Sequence, residues 1–347
     1  VVMSYQVSNR WKKHYWLVLL VLGMAGLFIH LSFWSIPPQD LLKEDIYYIW
    51  LEGDRIVAGE NPYARVLAGD MRLNDKYATY FPLAYLFAAL VQKLGVTDFV
   101  GWLYLWRPLS LTFHLGLVAL VLRHFYRRGL YRLGLAAAAI LLLGRWSLYI
   151  TRVHHLEFAA IFCLVLSLVL LRARPKLALL AFSMSLGIKQ IAIFLLPLYL
   201  IYLWNTGTKQ RRLPDLGIGL AIILSIPVLT SLPFVLWNAE GFTKSILFSA
   251  TRAEVSHIDG APSIDVVVAQ GWPGLVGIRA KLLMLSLMGI VYLSYLKEKA
   301  GLLVAAALVM MIFLYFNSVL FLQYFLWPLS LTLFALVEAV PLTLTDD

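Results

Sequence analysis

The chain has 347 residues, 61% hydrophobic and only 14% charged, with a mean hydropathy of +0.80. A soluble domain carries roughly 45–50% apolar and about 25% charged residues, so that class is excluded. The net charge of +10 does not point to nucleic acid, because membrane proteins collect Lys and Arg on cytoplasmic loops for topological reasons.

Apolar runs of about 20 residues, enough to cross a hydrocarbon core of about 30 Å, recur along the sequence. The first, Tyr15–Ser35, follows Arg10, Lys12 and Lys13 and lacks a small-residue cleavage site, so it reads as an uncleaved span with its N-terminus inside. The long polar interruption Ile36–Gly95 then falls outside. Within it Phe81–Leu94 is apolar but about 14 residues long, too short for a span. Laying it along the outer face keeps Arg123, Arg127, Arg128 and Arg132 inside, as the positive-inside bias requires.

Further spans alternate along Gly101–Leu122, Leu133–Leu148 and Leu156–Leu171. Leu177–Trp204 is too long for one helix and reads as two short ones meeting outside at Lys189-Gln190. Asp215–Trp237, with Pro227 and Pro233, is followed by a second outer loop, Asn238–Trp272, and then by Val276–Tyr295, Leu302–Phe316 and Leu320–Val340. The expectation is an all-α polytopic membrane protein of about ten spans, with both termini cytoplasmic and the plasma membrane as its site. It forms a single catalytic domain over residues 1–347, with juxtamembrane helices in the large first outer loop. Cys163 stands alone, so neither a disulfide frame nor a thiolate metal site is expected.

The outer face gathers the polar chemistry. Glu44 and Asp45 lie just beyond the first span, where low-dielectric surroundings raise a carboxylate's pKa and suit it to act as a base; the alternative is a pair of solvated loop charges. Lys189 sits in an apolar run, which is costly unless it faces a polar cavity or snorkels at a helix end. Arg152, His154 and His155 fall between the third and fourth spans, on the same outer face. The histidine pair beside Glu157 also suggests metal, but adjacent helical positions diverge by about 100° and make a poor ligand pair. Tyr47, Tyr48, Tyr63, Tyr80, Tyr324 and Trp327 offer aromatic faces to a substrate, or else form the aromatic belt of the interfaces. Asn61-Pro62 and Pro82 shape the loop. Gln323 and Tyr324 are candidate cavity liners at the outer end of the last span, and Arg252, His257 and Asp259 candidate gating residues of the second loop.

Asp45-Ile-Tyr-Tyr48, Gly59-Glu-Asn-Pro-Tyr63 and Tyr80-Phe-Pro82 opening a short apolar helix together resemble the first extracytoplasmic loop of GT-C superfamily glycosyltransferases. The nearest likeness is to the polyprenol-phosphate-mannose-dependent mannosyltransferases of glycosyltransferase family 87. Leu322-Gln-Tyr-Phe-Leu-Trp-Pro328 is similar to a stretch in the first mannosyltransferase of GPI-anchor assembly, and Ser185-Leu-Gly-Ile-Lys-Gln190 to the superfamily's lysine-bearing mid-chain helix. The resemblance implies inverting transfer of a hexose, mannose first, from a polyprenyl-phosphate donor to a lipid-linked or polymeric glycan acceptor. Asp45 would be the catalytic base and Glu44 its understudy. Growing charge on the leaving phosphate calls for cations, with Lys189 first, then Arg152, His154 and His155. Tyr48, Asn61, Tyr63, Tyr80, Gln190, Gln323 and Tyr324 would hold substrate. The donor lipid is the co-substrate; no metal or other cofactor and no nucleic-acid partner are expected.

A membrane transporter or lipid flippase, a non-catalytic subunit of a glycosylation complex, and an acyltransferase using His154 or His155 are the competing readings. The sequence shows no internal two-fold repeat of the kind many carriers have.

Overall fold

The structure, a computed structural model, describes residues 9–68, 78–208, 210–251, 271–272, 278–317 and 320–339. Among these residues all regular structure is helical. In chain order the α-helices are α1 (Asn9–Phe33), α2 (Asp45–Val57), α3 (Leu83–Lys93), α4 (Phe99–Tyr126), α5 (Tyr131–Leu143), α6 (Arg145–Val153) and α7 (Glu157–Leu170). They continue as α8 (Pro175–Ile188), α9 (Leu196–Thr206), α10 (Arg212–Trp237), α11 (Ala239–Thr251), α12 (Ile278–Leu296), α13 (Leu302–Phe316) and α14 (Leu326–Ala339). Short 3-10 turns cover Pro38–Leu41, Ala64–Leu67, Gln190–Leu195 and Leu322–Phe325.

Among the described residues five helical stretches are long and apolar enough to cross a membrane: α1 from His14, α4, α5 continued by α6, α10 and α12. Their outward faces carry large apolar side chains, such as Phe28 on α1, 74% exposed, and Leu229 on α10, 69% exposed. Uncovered apolar faces of this extent belong in lipid. The shorter apolar helices α7, α8, α9, α13 and α14 contribute much of the buried interior, including Phe158, Phe182, Tyr199, Met310 and Trp327.

Two breaks interrupt apolar runs. The expected break at Lys189 is present: Lys189 is extended (φ −150°, ψ 117°) and a 3-10 turn follows it before α9 begins. The run expected as one helix over Leu133–Leu148 is divided at Gly144, which is extended (φ −68°, ψ 145°) between α5 and α6. A Cβ on Gly144 would run into the Ile140 carbonyl oxygen, so only glycine allows this turn.

The polar segment after α1 is not an open loop. α2 and α3 pack so closely that a Cβ on Gly53 would lie 2.7 Å from the Ala88 Cβ, and Gln92 Nε2 donates to the Trp50 carbonyl at 2.8 Å. Residues 238–272, expected as a loop, begin instead with α11. Asn238 caps it by accepting from the Gly241 amide at 2.8 Å. Phe242 of α11 lies on the Tyr63 ring, centroids 4.8 Å apart, and Ser245 Oγ donates to the Ala78 carbonyl at 2.5 Å. The expected gating residues Arg252, His257 and Asp259 lie outside the described residues.

Candidate functional site

The site grows from the start of α2. Glu44 is the extended residue before the helix and Asp45 its first residue, where the positive end of the helix dipole favours carboxylates. The chain entering α2 is tied down by Arg107 of α4. Its Nη1 and Nη2 donate to the carbonyls of Trp34 and Ile36 at 2.8 and 2.9 Å, and its Nε donates to His154 Nε2 at 3.2 Å. Trp106 Nε1 adds a bond to the His154 carbonyl at 2.8 Å.

His154 itself adopts the left-handed conformation, φ 56° and ψ 36°, ending α6. Both histidines thus lie between two helices, as the sequence suggests, and not side by side on one helix. The sharp turn sends His154 to Arg107 and its neighbour His155 to the acids. Burial, with Arg107 adding to it, lowers the His154 pKa to about 3. It is thus a neutral acceptor for Arg107 and has no charge to offer a phosphate.

His155 Nε2 lies 3.0 Å from Glu44 Oε2. Its Nδ1 is 3.8 Å from both Asp45 Oδ2 and Glu157 Oε2. Glu157 opens α7 and is wholly buried; its Oε1 accepts from Lys189 Nζ, at the end of α8, in a very short contact. Glu157 is 0% and Lys189 1% exposed, so Lys189 is a paired interior cation and does not snorkel. Glu44 and Asp45 side chains are 28% and 14% exposed, which sets aside the picture of freely solvated loop charges.

Two aromatic rings enclose the lysine. Lys189 Nζ is 5.1 Å from the Tyr80 ring centroid and 5.5 Å from that of Tyr324. The Tyr80 hydroxyl donates to Asp45 Oδ2 at 2.8 Å. Its backbone is fixed on both sides: the amide donates to the Tyr85 hydroxyl at 3.3 Å and the carbonyl accepts from the Tyr63 hydroxyl at 2.7 Å. Burial, reinforced by the Asp45 charge, raises the Tyr80 pKa well above the usual phenol value, so it remains a proton donor to that carboxylate.

The other expected substrate-binding residues divide into two groups. Gln190 adjoins the site, with Nε2 donating to the Thr79 carbonyl at 2.6 Å and Oε1 buried without a hydrogen-bond partner. Gln323 is buried beside Tyr324 in the last 3-10 turn. Asn61 and Tyr63 serve the loop instead. Asn61 Oδ1 accepts from the Tyr63 amide at 3.0 Å, and the Tyr63 ring is fully buried against Phe234 and Phe242. The Tyr48 ring meets the edge of Tyr47 at 5.5 Å, and Tyr47 in turn meets Phe99 of α4. Trp327 is wholly buried in the bundle. Arg152 is exposed on the last turn of α6.

Sequence reasoning missed Arg107 and weighed Glu157 only as a metal partner of the histidines, not as the counter-ion of Lys189. Arg107 was detectable by the argument applied to Lys189, an ionisable side chain inside an apolar run. The role of Glu157 was not, because its partners come from distant segments.

Three carboxylates, one ammonium and one imidazole thus meet beside two aromatic rings. The arrangement suits proton removal from a hydroxyl by Asp45 or Glu44 next to a fixed positive charge. Among the described residues no group of three or more His, Cys, Asp or Glu side chains is disposed to hold a metal ion. No family model matches the sequence, and no curated protein or solved structure matches it either.

Proposed function

We propose that this chain is an integral membrane glycosyltransferase of the GT-C type. It transfers a hexose, mannose in the first instance, from a polyprenyl-phosphate carrier to a lipid-linked or polymeric glycan acceptor. The observation that carries this reading is the Tyr80 ring, with its hydroxyl on Asp45 and Lys189 Nζ 5.1 Å from its centroid. An acid able to take a hydroxyl proton and a cation able to meet a phosphate flank one aromatic surface.

In the proposed reaction Asp45 removes the acceptor's proton, the oxygen attacks the anomeric carbon, and polyprenyl phosphate departs with inversion. A phosphate leaving group needs no acid catalyst; its growing charge is stabilised by Lys189. The ammonium has three protons, so it can serve the phosphate while keeping Glu157. Exposed Arg152 is available to the carrier headgroup. The same reading includes about ten spans, residues 36–95 on the extracytoplasmic side, both termini inside and a plasma-membrane location. The five long apolar helices and the shorter ones beside them support it.

The test supplies radiolabelled polyprenyl-phosphate mannose, with native membrane glycolipid as acceptor, to proteoliposomes of wild type and Asp45→Asn. The substitution is nearly isosteric. Transfer by the wild type, reduced about 100-fold or more in the variant, is expected for loss of a general base. Equal transfer by both would remove Asp45 from the chemistry. Transfer by neither would favour a carrier, a reading supported by one observation, the Glu157–Lys189 pair buried at a break between short apolar helices.

A further inference from the structure

Under the proposed function every turnover leaves a proton on Asp45, and that proton must depart before the next acceptor arrives. We propose that His155 is the relay that clears it, passing a proton from Asp45 to Glu44 and so to water. This inference rests on the assignment of Asp45 as the base.

The geometry supplies the path. A carboxylate accepts hydrogen bonds, so the 3.0 Å contact with Glu44 Oε2 places a proton on His155 Nε2. Nδ1 then faces inward, buried and without a hydrogen-bond partner, 3.8 Å from Asp45 Oδ2. A small side-chain movement brings this pair within the 2.6–3.2 Å or so needed for proton transfer. Glu44 is the more exposed acid, 28% against 14% for Asp45, so the three groups run from the inner acid to the outer one.

The groups facing the imidazole are Glu44 and Asp45 from the start of α2, Tyr149 from α6, edge-on at 6.1 Å, and Glu157 from α7. Behind them stand Lys189 on Glu157 and Tyr80 on Asp45. Glu157 turns its unpaired Oε2 towards Nδ1 at 3.8 Å. It is therefore a positioning residue, set beside the ring nitrogen that receives the proton.

The protons balance. The acceptor hydroxyl gives its proton to Asp45, and Asp45 gives it to His155 Nδ1. The resulting imidazolium gives its Nε2 proton to Glu44, and Glu44 gives it to water. Exchange of the ring protons with water resets the tautomer.

The test compares wild type and His155→Gln in proteoliposomes, again with radiolabelled polyprenyl-phosphate mannose and native membrane glycolipid. Glutamine keeps a donor for Glu44 but cannot relay. With enzyme in excess over donor, the variant should still complete one transfer. With donor in excess it should slow about 100-fold, and added imidazole should restore turnover. A lost single turnover without rescue by imidazole would overturn the relay in favour of a purely structural role, and steady-state turnover equal to wild type would overturn it outright. Absence of transfer by the wild type would instead overturn the glycosyltransferase reading, and the relay with it.

Discussion

Arg107 donates through Nε to His154 Nε2 at 3.2 Å while its two terminal nitrogens hold the Trp34 and Ile36 carbonyls. One guanidinium thus joins the end of α1, the middle of α4 and the end of α6. Its fixed fork of donors is what lysine lacks. Arg107→Lys should retain charge but lose two of the three bonds, lowering stability by about 3–6 kcal/mol at 1.5–3 kcal/mol for each charged hydrogen bond. Unfolding in detergent, followed by thermal melting, measures this.

His154 makes the same junction sensitive to acid. Its pKa falls from the ordinary 6.5 to about 3 in the folded chain, so between these values the unfolded chain binds more protons. Stability is therefore full above pH 6.5 and declines as the pH falls towards 3. Between pH 7.5 and pH 5 the loss from this residue should be about 2 kcal/mol. His154→Gln keeps an acceptor for Arg107 without titrating, and the difference between its pH–stability curve and that of the wild type isolates the effect.

The Glu157–Lys189 pair should show strong coupling. Glu157→Ala leaves a buried ammonium unpaired and should cost about 3–5 kcal/mol, whereas joining it to Lys189→Met removes both charges and should recover most of that loss. A double-mutant cycle on melting stability gives the coupling, and additive costs would contradict it. Recovery of fold without recovery of transfer is expected for the double variant, since the cation is gone.

Tyr80→Phe separates the hydroxyl from the ring. The ring stays beside Lys189, while Asp45 loses the 2.8 Å bond from the phenol. Transfer should fall about 10-fold in kcat, equivalent to about 1.4 kcal/mol, with melting changed by less than about 1 kcal/mol. Tyr80→Ala should lose substantially more, through ring and hydroxyl together.

What could be read in advance differs from residue to residue. The long apolar helices follow from hydropathy because lipid demands long apolar runs, and the break at Lys189 announced itself as a polar pair in such a run. Gly144 did not, since glycine is common in membrane helices and only its approach to the Ile140 carbonyl requires it. The acids of α2 and the mid-chain lysine were legible as isolated chemistry. That Glu157 would neutralise this lysine, and that His154 and His155 would face apart, depend on a left-handed residue and on contacts far apart in sequence. Local periodicity carries neither.

Tyr324 lies beside Lys189, and Lys189 pairs with Glu157. Synthesis runs from the N-terminus, so the segments bearing Asp45, Tyr80, Glu157 and Lys189 are made well before the turn bearing Tyr324. Until that last turn arrives, the ion pair lacks one of its two aromatic walls. Completion of the site thus waits for the turn bearing Tyr324, and a nascent chain stalled before it holds the acids and the lysine without their full enclosure.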